Sequence, residues 1–161
     1  MKTHLALAIT GLALLTASAA AAQPRQPASP HAQPRAALEA VLKSYEQALN
    51  ASDIEGVVQL YTDDAVVLAP NALSAVGIDA VRATYTNIFQ AIDIDLTFTL
   101  AEVNVVSPNW AFLRSTSNGT VTLLANGAQI LSSNHELFVL HKTQGGWELA
   151  RYSFSSVLPA A

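Results

Sequence analysis

Apolar positions along the chain change period partway through, and that change outlines the fold. Leu38, Val41, Leu42, Tyr45 and Leu49 recur at helical spacing, with Glu39, Lys43 and Glu46 turned away. Asn50 and Ala51 end this helix. Ser52-Asp53-Ile54-Glu55 has the form of a capping box and predicts a short second helix through Ile54, Val57, Val58 and Tyr61. Ala65 to Ala69 then reads as a strand stopped by Pro70. Gly77 precedes a third helix carrying Val81, Tyr85, Ile88, Phe89 and Ile92 on one face.

From Ile94 the period is two. Ile94, Leu96, Phe98 and Leu100 alternate with polar residues, and the apolar phase then moves to Val103 and Val105. One inserted residue produces such a flip, so a bulge is expected near Ala101. Ser107-Pro108-Asn109 is a turn. A long strand follows over Trp110–Leu124, bent at Asn118-Gly119, and Asn126-Gly127 is a strong hairpin signal. Ala128–Lys142 returns, Gly145-Gly146 turns, and Trp147–Val157 closes the sheet. Three helices followed by a curved, mainly antiparallel meander make an α+β domain.

Composition changes this picture mainly at the N-terminus. Lys2, the apolar run Leu5–Leu15 and the small residues Ala17–Ala22 have the form of a secretory signal peptide over residues 1–22. Residues 23–35, QPRQPASPHAQPR, hold four prolines and no aliphatic side chain larger than alanine, and read as a disordered tether. The remaining 36–161 form one domain. It carries 5 Lys/Arg against 12 Asp/Glu, a net −7. That balance argues against a nucleic-acid partner and against an anionic membrane surface. Export, to the periplasm or medium, fits a chain without cysteine. Scarce histidines and no cysteine argue against a metal site, and no phosphate loop or dinucleotide fingerprint points to a cofactor.

The stretch SYEQALNASDIEGVVQLYTDDAVVLAP resembles the opening of the NTF2-like superfamily, which includes SnoaL-like proteins and ketosteroid isomerases, and NHELFVLHKTQGGWELARYSF resembles its SgcJ/EcaC-type subgroup. The resemblance spans about residues 36–159. It implies a cone in which the three helices pack on the curved sheet. It also implies that Tyr45 matches the tyrosine that polarises a substrate oxygen in the isomerases, and that Glu136 matches their protonated acid. The catalytic aspartate before the strand-ending proline is replaced by Ala69, which argues against a ketosteroid isomerase.

The residues themselves leave several roles open. Tyr45 sits on an apolar stripe, where core packing competes with a role in a site. Glu136 stands mid-strand beside Asn134 and Phe138, where an unpaired carboxylate is costly to bury. Arg114, sharing a face with Trp110 and Phe112, is placed to pair with Glu136 or to bind an anion. Arg151 alternates with Leu149 and Trp147 and reads as a rim ion pair; Tyr152 and Phe154 fall on the other face. His135 and His141 are candidate bases, too far apart to share a metal. The expected ligand site is Tyr45, Ala69, Phe89, Trp110, Phe112, Arg114, Asn134, Glu136, Phe138 and Tyr152. Three functions follow: a pocket binding a small, largely apolar molecule; a cofactor-independent enzyme using Glu136 or a histidine with Tyr45; and a structural dimerisation module. The last strands are apolar on both faces, so a homodimer through the outer face is expected.

Overall fold

The computed structural model describes residues 32–157, with side chains from Pro34 onward. The expected signal peptide, and the tether up to His31, lie outside the described residues. Helix α1 (Ala32–Asn50) begins four residues before the expected domain start at Ala36. Pro34 is tolerated there because N–H groups in a first helical turn have no partner within the helix. Helix α2 (Ile54–Val58) is capped by Asp53, whose carboxylate accepts from the Gly56 N–H at 2.9 Å. The capping-box reading had placed the cap at Ser52. Ser52 instead turns the chain at φ 52, and Glu55 pairs with Arg82.

Strand β1 (Tyr61–Leu68) starts earlier than the apolar run suggested, taking Tyr61 out of the second helix. It pairs with a two-residue strand, β2 (Ala75–Val76), that periodicity could not reveal. Helix α3 (Ile78–Ala91) follows Gly77, and then come β3 (Ile92–Ser107), β4 (Trp110–Leu123), β5 (Gln129–Thr143) and β6 (Gly146–Ser156). The six strands are ordered β2-β1-β6-β5-β4-β3, antiparallel except for the β1–β6 pair. This is a mixed α+β fold, with the helices packed against a curved, unclosed sheet.

Two bulges set which side chains face the helices. In β3 the register with β4 shifts between Leu100 and Glu102, leaving Ala101 as the extra residue. In β6 the register with β5 shifts so that Leu140 opposes Leu149 while Val139 opposes Arg151, leaving Ala150 unpaired. That second bulge turns Leu149 and Tyr152 to the same buried side and Arg151 away from both. Alternation carried straight through β6 had put Arg151 with Leu149 and Tyr152 opposite; the inserted residue reverses this. Arg151 reaches the Asp64 carboxylate at 3.6 Å.

Helix α1 also closes an edge of the sheet. Asn50 donates to the Leu96 carbonyl at 2.8 Å and accepts from the Leu96 N–H at 3.0 Å, while Glu46 accepts from the Phe98 N–H at 2.8 Å. These side chains take the outward N–H and carbonyl of Leu96 and the N–H of Phe98 on β3, which has no strand on that side.

Candidate functional site

The concave side of the sheet is packed solid at one end and hollow at the other. Leu113, Phe138 and Leu140 are fully buried at the closed end, beneath Tyr45 of α1. Toward the β4–β5 hairpin a cavity of about 360 Å³ remains, within the usual range for small-molecule sites. Its walls are mostly apolar: Ile88 and Ile92 from α3 and its end, Leu96 and Phe98 from β3, Val121 from β4 and Phe154 from β6. Phe138, Tyr152 and Phe154 form a stacked row, with ring centroids 4.5 and 5.5 Å apart.

Two polar features interrupt these walls. The first is a chain of phenols. Tyr85 of α3 bonds through its hydroxyl to Tyr45 and to Tyr61, each at 2.8 Å, and Tyr45 and Tyr85 line the cavity. Burial raises the proton affinity of all three, Tyr85 to about 12 even though its two hydrogen bonds pull the other way. Burial, with the nearby Glu136, raises Tyr152 as well. The sequence holds four tyrosines, and these are the four. Unfolded phenols ionise near pH 10. The stability tied to the raised values is therefore present below that pH and lost as pH rises through the folded-state values. A spectrophotometric titration should show no phenolate in the native protein until the chain unfolds, and then all four together. Phenolate growth with an ordinary midpoint while circular dichroism stays native would contradict this packing.

The second feature is a polar line across the floor. Glu136 of β5 is 5% exposed, and its carboxylate accepts from Ser115 Oγ of β4 at 2.5 Å. Burial raises its proton affinity, and hydrogen bonds from Ser115 and Ser117 partly oppose that. The neutral acid, which can donate a hydrogen bond, thus persists to higher pH than in an exposed glutamate. Two residues along β5, Asn134 donates to Ser117. Ala69 and Pro70, just past the end of β1, face Glu136 from the far side of β6. Two inter-strand steps separate them, roughly 10 Å.

Of the residues expected in the ligand site, Tyr45, Ala69, Asn134, Glu136 and Tyr152 line the cavity. Phe138 lies beneath it, and Phe89 sits against Tyr85 at 5.8 Å on the helical side. Trp110, Phe112 and Arg114 do not belong with them. Ala111, Leu113, Ser115 and Ser117 are the buried positions of β4, so the three intervening residues face outward. Arg114 pairs there with Glu102 at 2.6 Å rather than with Glu136. His135 and His141 are also outside; His141 stacks on Trp110 at 4.3 Å, so neither histidine serves this cavity as a base. Tyr61, Tyr85, Ser115 and Ser117 were not among the expected residues. The serines had a signal, since they continue the parity of Ala111 and Leu113.

Comparison with known proteins settles the family. A family model described as a SnoaL-like domain matches residues 41–148. The chain belongs to the SnoaL-like family. A ketosteroid isomerase-like protein from Erwinia carotovora atroseptica is 38% identical, with a TM-score of 0.74 over 77% of this chain and 96% of that one. The SnoaL-like fold also matches a protein from Novosphingobium aromaticivorans provisionally named a scytalone dehydratase (20% identity, TM-score 0.67, 77% of this chain and 84% of that one). An NTF2-like protein from Shewanella oneidensis is similar as well (19% identity, TM-score 0.61, 76% and 98%). No functionally curated protein matches the sequence. The NTF2-like superfamily and its helix-on-curved-sheet fold are thereby established for this SnoaL-like chain.

Proposed function

We propose that the cavity binds a small, largely apolar molecule carrying an oxygen, held at its polar end by Glu136, with Tyr45 and Tyr85 beside it. The observation that supports this most directly is a single buried carboxyl on the floor of a largely apolar hollow of about 360 Å³. In its neutral form Glu136 donates a hydrogen bond to a carbonyl oxygen; once ionised it repels one. Catalysis at carbon is weak or absent, because Ala69 supplies no base opposite that donor. A bicyclic ketone such as tetralone should raise Tm by mass action. This protection should fade as pH rises through the elevated range of Glu136, and stay flat in Glu136→Gln, which keeps a donor at every pH. No Tm shift at any pH would sink the proposal.

A second reading has Glu136 move a proton itself, as its raised proton affinity would suit. The isomerase-like and dehydratase names of similar proteins are consistent with it. Turnover that survives Glu136→Gln would exclude it.

We also propose that two copies meet through the outer sheet face, where Trp110 and Leu137 are 41% and 42% exposed on neighbouring strands. Sedimentation at micromolar concentration should then give twice the chain mass, and the monomer mass would refute it.

A further inference from the structure

Glu136 is not the only buried polar side chain on the cavity floor. Asn134 is 8% exposed, and its Nδ2 donates to Ser117 Oγ at 3.1 Å and to Ser132 Oγ at 3.2 Å. Both amide hydrogens are thereby used. Ser117 also donates to the Glu136 carboxylate, so toward Asn134 its oxygen accepts, and the amide meets both serines through its nitrogen. Among the described residues no donor reaches Asn134 Oδ1, and no buried side-chain polar atom is sealed away without a partner. The Oδ1 therefore opens onto the cavity that Asn134 lines. A carbonyl-type acceptor turned into apolar space is unfavourable when dry and gains when a donor meets it.

We propose that Asn134 is a specificity-determining residue whose Oδ1 accepts a hydrogen bond from a second polar group of the ligand bound at Glu136. This rests on the reading of the cavity as a small-molecule site and adds the ligand's class. Residues two apart on one strand face lie about 7 Å apart. A ligand touching both carries polar groups at opposite ends of a body about two fused rings long. The deeper group is an oxygen that meets Glu136. The outer group must be a donor, because an amide oxygen only accepts; a hydroxyl fits. Ser132, at the outer end of the line, sits where that hydroxyl would enter from the hairpin side.

Three probes separate the possibilities: 2-naphthol, 2,7-dihydroxynaphthalene with hydroxyls at opposite ends, and 2,3-dihydroxynaphthalene with adjacent ones. Fluorescence titration of the wild type should show the opposite-end diol binding about ten-fold tighter than naphthol, as one buried neutral hydrogen bond provides. The adjacent diol should gain no such advantage. In Asn134→Ala the advantage should disappear, the opposite-end diol and naphthol then binding equally. Equal binding of naphthol and the opposite-end diol would overturn the role of Asn134 and leave the cavity reading standing, as would the same gain from the adjacent diol or a gain that survives the substitution. The wild-type comparison decides the matter even if the variant fails to fold. Absence of naphthol binding would remove the cavity reading and this inference with it.

Discussion

Ala69→Asp is expected to give this chain proton transfer at carbon, at a rate about 10²–10⁴-fold above the wild type. The reaction to assay is isomerisation of a bicyclic β,γ-unsaturated ketone to its conjugated isomer, followed by ultraviolet absorbance. It needs a base that takes a proton next to the carbonyl and a donor that steadies the oxygen of the resulting dienolate. Glu136 and the Tyr45–Tyr85 pair already stand at the donor end. Position 69 faces them across roughly 10 Å, too far for the new carboxylate to bond Glu136 and far enough to admit a ring between. The introduced acid must be ionised and Glu136 neutral, so the rate should rise and then fall with pH. Exchanging the titrating donor for one that does not ionise, in the doubly substituted Ala69→Asp, Glu136→Gln protein, should flatten the falling limb. Robust turnover by the wild type, or no gain in a variant that still binds the ketone, would refute the reading of Ala69 as the missing base.

The largest loss of stability is expected at Gly119. A Cβ built there would lie 2.0 Å from the Asp95 carbonyl oxygen and 3.1 Å from the Leu96 Cα, so backbone would have to move. Gly119 opposes Leu96 across the β3–β4 pair, and Leu96 lines the cavity. Gly119→Ala should therefore cost about 3 kcal/mol, lower Tm by roughly 10 °C and loosen ligand binding as the wall shifts. Gly127→Ala is the control. It sits at φ 72 with nothing within 4 Å of its Cβ, so strain alone should cost about 1 kcal/mol. Equal melting temperatures for the two variants would show that β3 yields freely at this point.

The sequence carried more of the site than periodicity alone extracted from it. The bulge at Ala101 was legible because the apolar phase of β3 flips in plain view. The bulge at Ala150 left the same mark, Leu149 and Tyr152 lying three apart, but Ala150 and Arg151 between them disguised it. The face of Arg114 was also within reach. A hairpin centred on the neighbouring pair Asn126-Gly127 sets even-numbered residues of β4 opposite odd-numbered ones of β5. Glu136 must then share a face with Ser115 and Ser117, and Arg114 must lie on the other side, as the register shows. Trp110 and Phe112 share the outward face with Arg114 despite their size, and Trp110 is exposed there. The contacts of Tyr85 with Tyr45 and Tyr61 were not legible, since 40 and 24 residues separate the partners. The same holds for the grip of Asn50 on Leu96, which depends on how the helix lies along the strand.

That grip limits how this protein can aggregate. A sheet edge with free amides and carbonyls is a template on which another chain can add a strand. Here the Asn50 amide acts as a one-residue imitation strand on β3, and the opposite margin is a strand of two residues, too short to seed a ladder. Strand-by-strand growth into fibrils is thus discouraged at both margins without any disulfide to lock the fold. Asn50→Ala would remove the imitation strand and leave β3 open to chain-to-chain zippering.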